Sequence, residues 1–295
     1  MPAPCRSSAA AWRAEAMTTT AVRRHVTGLQ GQLTDGEFGQ FRALMYSLAG
    51  ISLSDAKKQL VAGRLARRLR QLDLDGYGSY FRRVQADAGE RQIAVDLLTT
   101  NETYFFREPK HFDFMRSQAL PELKGQSTVR VWSGACSSGE EPYTIAMVMA
   151  EVLGGRPWEI VASDLSTRVL THAREGRYPM DDAAGIPRPL LVKYCLKGVG
   201  GQDGTFMMKP ELRGRINFRQ INLNEALPAL GLFDVIFLRN VMIYFDIDTK
   251  RQVVQRILPL LKPGGYFIVS HSENLNGVSD ALKTVKPSIY RKPEA

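Results

Sequence analysis

"VRVWSGACSSGEEPYTIA", Val129–Ala146, decides how this chain folds. Val129, Val131 and Trp132 read as a strand, Gly134 and Gly139 punctuate the turn after it, and a helical pattern begins near Pro142. Strand, glycine turn and helix in that order form a nucleotide-binding unit. The glycines let backbone approach a ligand, and the helix start faces it. The spacing is not G-x-G-x-x-G, so the dinucleotide fingerprint is absent. Glu140 and Glu141 have an ordinary use as acids complementing a helix dipole. At this turn, however, two carboxylates repel a pyrophosphate and suit a ligand with ribose hydroxyls and positive charge. S-adenosylmethionine is such a ligand, and Asp164, closing the next strand "WEIVASD", is placed to hold its ribose.

The same alternation continues along the chain. "RINFRQINL", "FDVIFLRN" and "GGYFIVSHS" read as further buried strands, and "IDTKRQVVQRILPLL" as a helix between them. Such alternation predicts βαβ units and a parallel sheet. "VKYCLKGVGGQDGTFMMKPELRGR" interrupts it with five glycines and predicts a small antiparallel insertion. Before residue 110 the patterns are helical instead. "TDGEFGQFRALMYSLAG" opens on Thr34 with Glu37 three residues on, a capping box, and closes on Gly50. A second helix runs from Ser54 or Asp55 to Gly76, and "GSYFRRVQADAG" and "ERQIAVDLLTT" follow.

Composition narrows the class. The chain has 295 residues, 44% apolar and 23% charged, as in soluble globular proteins. It has no apolar run near the ~18 residues of a membrane span, and Arg13 and Glu15 interrupt what a signal peptide would need. Cys5, Cys136 and Cys195 are odd in number and far apart, which fits a reducing cytoplasm. His111, His172 and His271 are scattered along the chain, and no metal is expected. The net charge of +9 suggests an acidic partner without naming it.

"TTNETYFFRE", "VWSGACSSGEEPYTIA", "ASDLS", "FLRNVMIYF" and "LLKPGGYFIVSHSENL" occur in this order. Together they resemble the chemotaxis receptor methyltransferases, the CheR family, from about Leu33 to Arg291. The resemblance implies a class I AdoMet-dependent methyltransferase domain of Rossmann-like α/β fold with a small antiparallel β-subdomain inserted, behind an all-α N-terminal domain. The expected boundaries are a disordered extension over residues 1–30, helices over 31–105 and the catalytic domain over 106–295, with its insertion at about 190–218. It further implies methyl transfer from S-adenosyl-L-methionine to glutamates of chemoreceptor cytoplasmic helices by a cytoplasmic monomer, leaving γ-methyl esters and S-adenosyl-L-homocysteine. Carried over by motif, Asn101, Thr103, Arg107, Glu141, Asp164, Asn222, Leu223, Arg239 and Asn240 contact the cofactor. Arg107 and Tyr244 orient the substrate carboxylate. Whether a receptor C-terminal pentapeptide docks on the β-subdomain is left open by the resemblance.

Residues 57–70 carry the expected substrate contact. A 100° step puts Lys57, Arg64, Arg67 and Arg68 on one arc and Val61, Leu65, Leu69 and Leu72 on the next. The basic arc is expected to face acidic receptor helices. Two other functions share part of this pattern. A nucleic-acid methyltransferase is basic too, but amino-methylating ones carry a Pro-Pro-aromatic tetrad where this chain has "RNVMIY", and no Pro-Cys nucleophile lies outside the N-terminal tail. A catalytically silent AdoMet-binding module is disfavoured by intact Arg107 and Tyr244.

Overall fold

The computed structural model describes residues 31–294, so the expectation for residues 1–30 lies outside it. Four helices come first: α1 (Asp35–Ala49), α2 (Lys58–Gln71), α3 (Tyr77–Ala86) and α4 (Ala88–Leu98). The capping box forms as read, with Thr34 accepting from the Glu37 amide and Glu37 reaching back to the Thr34 amide. Gly50 closes α1 in the left-handed region at φ 69°. A Cβ there would lie 2.6 Å from Thr249 of the catalytic domain, so conformation and close approach both require glycine. Phe41, Met45, Leu65, Leu69, Tyr80 and Val84 form the core of this domain. α2 ends before Gly76: its pattern stops at Gln71, Asp73 turns left-handed, and Gly76 instead precedes α3.

A linker and α5 (Lys110–Phe114) and α6 (Leu120–Glu122), joined by one π-helical turn, lead into the catalytic domain. There follow β1 (Val129–Ser133), α7 (Glu140–Leu153), β2 (Trp158–Asp164), α8 (Thr167–Glu175), β3 (Arg177–Pro179), α9 (Arg188–Tyr194), β4 (Cys195–Lys197), β5 (Thr205–Met208), α10 (Pro210–Arg213), β6 (Ile216–Gln220), β7 (Phe233–Phe237), α11 (Ile247–Ile257), β8 (Leu261–Ile268), β9 (Lys283–Lys286) and β10 (Ile289–Arg291). The main sheet has the order β6-β2-β1-β7-β8-β10-β9, parallel through β8 and antiparallel at β10 and β9. Its central strands β1, β2 and β7 are buried almost throughout because helices cover both faces. Val131, Val235, Phe237 and Ile268 point into one core, while Trp132, Ile236 and Phe267 point into the other.

The chain leaves β1 in one direction for β2 and β6, then returns to place β7 and β8 on the other side. That reversal opens a crevice at the carboxyl ends of β1 and β7, where an open α/β sheet binds its ligand. The inserted sheet has the order β3-β5-β4 and is antiparallel. It begins at Arg177 and ends at Met208, not at about 190–218. The expected insertion ran to about 218 and so overlapped the start of Ile216–Gln220, which pairs with β2 in the main sheet as the buried strand read from "RINFRQINL". The short strand at Arg177–Pro179 gave too little pattern to be read as a partner for β5.

Candidate active site

The linker between the domains and the carboxyl ends of β1, β2, β6 and β7 enclose a cavity of about 530 Å³. This lies within the roughly 300–1,000 Å³ of ordinary ligand pockets. Asn101, Thr103, Arg107, Glu141, Asp164, Asn222, Leu223, Arg239, Asn240 and Tyr244 all line it, as do Ile51, Ser52 and Leu53 of the helical domain.

Gly134 lines this cavity, and Gly139 sets where α7 begins. It caps α7 at φ 102°, and a Cβ there would come within 2.9 Å of both Tyr178 and Ala173. With Gly139 in that conformation α7 starts at Glu140, two residues before the expected Pro142, and both glutamates sit in its first turn. Asp164 ends β2 and is buried. It accepts from the Ser137 amide at 2.9 Å and the Ser166 amide at 2.9 Å, so it also ties together the loops after β1 and β2. Burial pushes its carboxyl pKa up, and those amides pull the other way.

The side chains expected at the cofactor divide by what already holds them. Glu141 accepts from Ser133 Oγ at 2.7 Å and from Arg239 at 2.8 Å. Arg239, only 4% exposed, also donates to the Arg107 carbonyl and to Glu108 at 3.1 Å. Its guanidinium is a clamp across the linker, which motif matching alone had read as a cofactor contact. Asn222 likewise donates to the Leu48 carbonyl at 2.6 Å and to Glu225 at 2.8 Å, fastening the helical domain while bordering the cavity. Asn240 sits at φ 57°, its amide donating to Glu273 at 3.0 Å.

Arg107 donates to the Glu102 carbonyl at 2.7 Å and stacks over Tyr104 at 5.6 Å. The aromatic triplet splits three ways. Tyr104 is 52% exposed at the cavity, Phe105 is buried against Tyr178 and Phe206, and Phe106 packs on Phe112. Tyr244 lies in a 3-10 turn after β7. Burial raises its phenol pKa, so it stays a protonated donor near pH 7.

Three residues went unread. Glu108 accepts from Arg239 and from the His271 amide at 3.2 Å. Ser137, at φ 48°, donates its hydroxyl to the Asn101 carbonyl at 2.9 Å. Glu273 accepts from three amides around the loops after β7 and β8. All three stand inside the quoted motifs, Glu108 in the linker, Ser137 after β1 and Glu273 after β8, but nothing local names their partners. The histidines also need correcting. His111 and His271 are not scattered, since their rings lie 4.7 Å apart and both neighbour Glu108. Arg239 occupies the charge position beside Glu108 that a cation would need. Burial, then Arg239, depresses the His111 pKa to about 3, so its ring is neutral.

The basic arc is corrected too. Arg64 donates to the Leu98 and Thr99 carbonyls and to Thr100, while Arg68 forms a two-bond pair with buried Glu90. Lys57 and Arg67 are exposed, and no hydrogen bond holds the side chain of either among the described residues. Tertiary partners, invisible to helical periodicity, turned half of the arc inward.

A sheet reversed at its last strands, an acidic tip on the second strand and a cavity at the crevice define an AdoMet-dependent methyltransferase of the Rossmann-like class. Family comparison agrees in two adjoining pieces. Residues 36–99 match the all-alpha domain of CheR methyltransferase, and residues 101–291 match the SAM binding domain of CheR methyltransferase. The chain belongs to the CheR methyltransferase family, and its cofactor is S-adenosyl-L-methionine. Chemotaxis protein methyltransferase 2 of Pseudomonas aeruginosa is 44% identical over 260 residues, 87% of this chain and 93% of that protein. The chemotaxis protein methyltransferase of Escherichia coli K12 is 41% identical over 263 residues, 88% and 91% of the two chains.

Proposed function

We propose that this protein methylates glutamate side chains of chemoreceptor cytoplasmic helices, forming γ-methyl esters as part of chemotactic adaptation in the cytoplasm. The observation that carries this reading is convergence. Residues from the linker, four strand ends and the turn at Tyr244 meet on one cavity, open to a mouth that bears a fixed cation. The names of the relatives support the chemotaxis part.

The cavity suits the cofactor by its donor set. Asp164 and Glu141 bring carboxylates toward hydroxyl and ammonium groups, Thr103 and Asn240 a hydroxyl and an amide, and Leu223 and Ile221 an apolar wall for a flat ring. When bound, the cofactor supplies an electrophilic methyl group on positively charged sulfur. A glutamate with a pKa of about 4.3 is already ionised near pH 7, so no general base is needed. Tyr244 donates a hydrogen bond that aims the carboxylate. Arg107 draws the carboxylate inward electrostatically, while its bond to Glu102 keeps it from a bidentate pair that would restrain the nucleophile. The apolar lining at Ile51, Leu53, Ile221 and Leu223 limits water, which strengthens these attractions. Alignment supplies most of the acceleration.

Arg67 on α2 and Lys57 just before it form the acidic-partner contact. A receptor-tail pentapeptide belongs to the same proposal: β4 is an edge strand with Leu196 exposed, and a tail segment adds to it as a further strand.

The test is methyl transfer from labelled AdoMet to receptor cytoplasmic fragments, followed by alkali. Ester methyl groups are released as methanol, and that result is expected. Alkali-stable label would mean another acceptor atom, and no label on any fragment would favour the silent module.

A further inference from the structure

Arg107 stands between two residues in the left-handed region, Phe106 at φ 57° and Glu108 at φ 56°. Non-glycine residues rarely adopt that conformation, and they keep it only where surrounding contacts over-determine it. Both contacts are present here. The Phe106 amide donates to Thr144 Oγ on α7 at 3.1 Å, and the Glu108 carboxylate is held by Arg239 at 3.1 Å and the His271 amide at 3.2 Å. The same Arg239 nitrogen donates to the carbonyl of Arg107 itself.

Arg239 is in turn fixed from the opposite side by Glu141, whose second oxygen accepts from Ser133 on β1. It also lies over the Phe112 ring at 5.5 Å. The row Glu108–Arg239–Glu141 therefore spans from the linker across the end of β7 to α7. Glu108 is not among the residues lining the cavity, so it has no route to the chemistry except through its neighbours. Burial disfavours its charge, but Arg239 prevails and holds its carboxyl below the usual range, so the pair is ionic throughout the working pH.

We propose that Glu108, acting through Arg239, is a positioning residue that sets the backbone of Arg107 and so aims the Arg107 guanidinium at the methyl acceptor. This rests on methyl transfer as argued above and adds a residue that the cavity alone does not reveal. Removing the tether frees a strained backbone to relax, and a displacement of about 1 Å costs on the order of 10²-fold in rate.

The experiment is a double-mutant cycle on the full chain with Glu108→Ala, Arg107→Ala and both together, followed by long incubations with labelled AdoMet and a receptor fragment. Glu108→Ala is expected to lower kcat by about 10²-fold and to leave S-adenosylhomocysteine affinity within about threefold, because Glu141 keeps its bond to Ser133. In the Arg107→Ala background the same substitution is expected to change kcat less than twofold. Glu108→Gln, which keeps the shape and one acceptor, is expected to recover part of the loss. Equal losses in both backgrounds would overturn the proposal, as would a fall in cofactor affinity matching the fall in kcat. If Glu108→Ala does not fold, the cycle is run with Glu108→Gln under the same criteria. Wild-type protein that methylates no fragment defeats the proposed function instead, so the two failures are told apart.

Discussion

Tyr244 brings one hydroxyl to the cavity, and its phenol is kept protonated by burial. Replacing it with phenylalanine removes one donor and little packing. Tyr244→Phe is therefore expected to lower kcat by roughly 10²-fold, the scale of a positioned donor, with little change in S-adenosylhomocysteine binding by calorimetry. A wild-type turnover number would end the orienting role. At this scale the sequence carried the membership of the site but not its wiring. Every residue chosen by motif reaches the cavity, because the motifs sit at strand ends where the fold needs them. Partners are another matter. That Arg239 clamps Glu108 and Glu141, or that Asn222 holds Leu48, depends on side chains up to 174 positions apart meeting in space.

Helix α2 shows how an element can be read correctly and still mislead. Its apolar stripe packs inward at Val61, Leu65 and Leu69 as its period requires. Its arginines do not share one fate. Charge reversal at Arg64 or Arg68 would break the linker anchor or leave buried Glu90 without its cation, so a loss of activity would say nothing about docking. Arg67 carries the clean test, because Lys57 also lines the cavity. Arg67→Glu is expected to raise KM for tail-less receptor several-fold, more at low salt than at high, because exposed charges are screened over about 8 Å at physiological ionic strength. Cofactor affinity is expected to stay put. If KM is unmoved at every ionic strength, α2 is only a solvated face. The inserted sheet was harder to bound than α2 for a related reason. A three-residue strand such as Arg177–Pro179 has no period of its own and exists only through its pairing with β5.

Across the whole molecule, the helical domain acts as one wall of the cavity, which links cofactor affinity to docking between domains. Ile51 bridges Phe245, the Ser52 amide donates to the Tyr244 carbonyl at 2.8 Å, and Tyr46 donates to Asp246 at 2.8 Å. On the far side of the linker, Asp96 of α4 accepts from the amides of Thr167 and Arg168 and from the Thr167 hydroxyl, at the start of α8. It caps a catalytic-domain helix from the neighbouring domain and does not line the cavity. Losing such a cap costs about 0.5–2 kcal/mol. Because the wall and the cap belong to one docked arrangement, part of that loss should be felt by the ligand. Asp96→Ala is therefore expected to weaken S-adenosylhomocysteine binding several-fold in calorimetry and to narrow the thermal stabilisation the ligand confers at fixed concentration. A lower melting temperature with unchanged ligand affinity would show that the cap stabilises α8 alone, and the helical domain would then be a wall that the cofactor does not depend on.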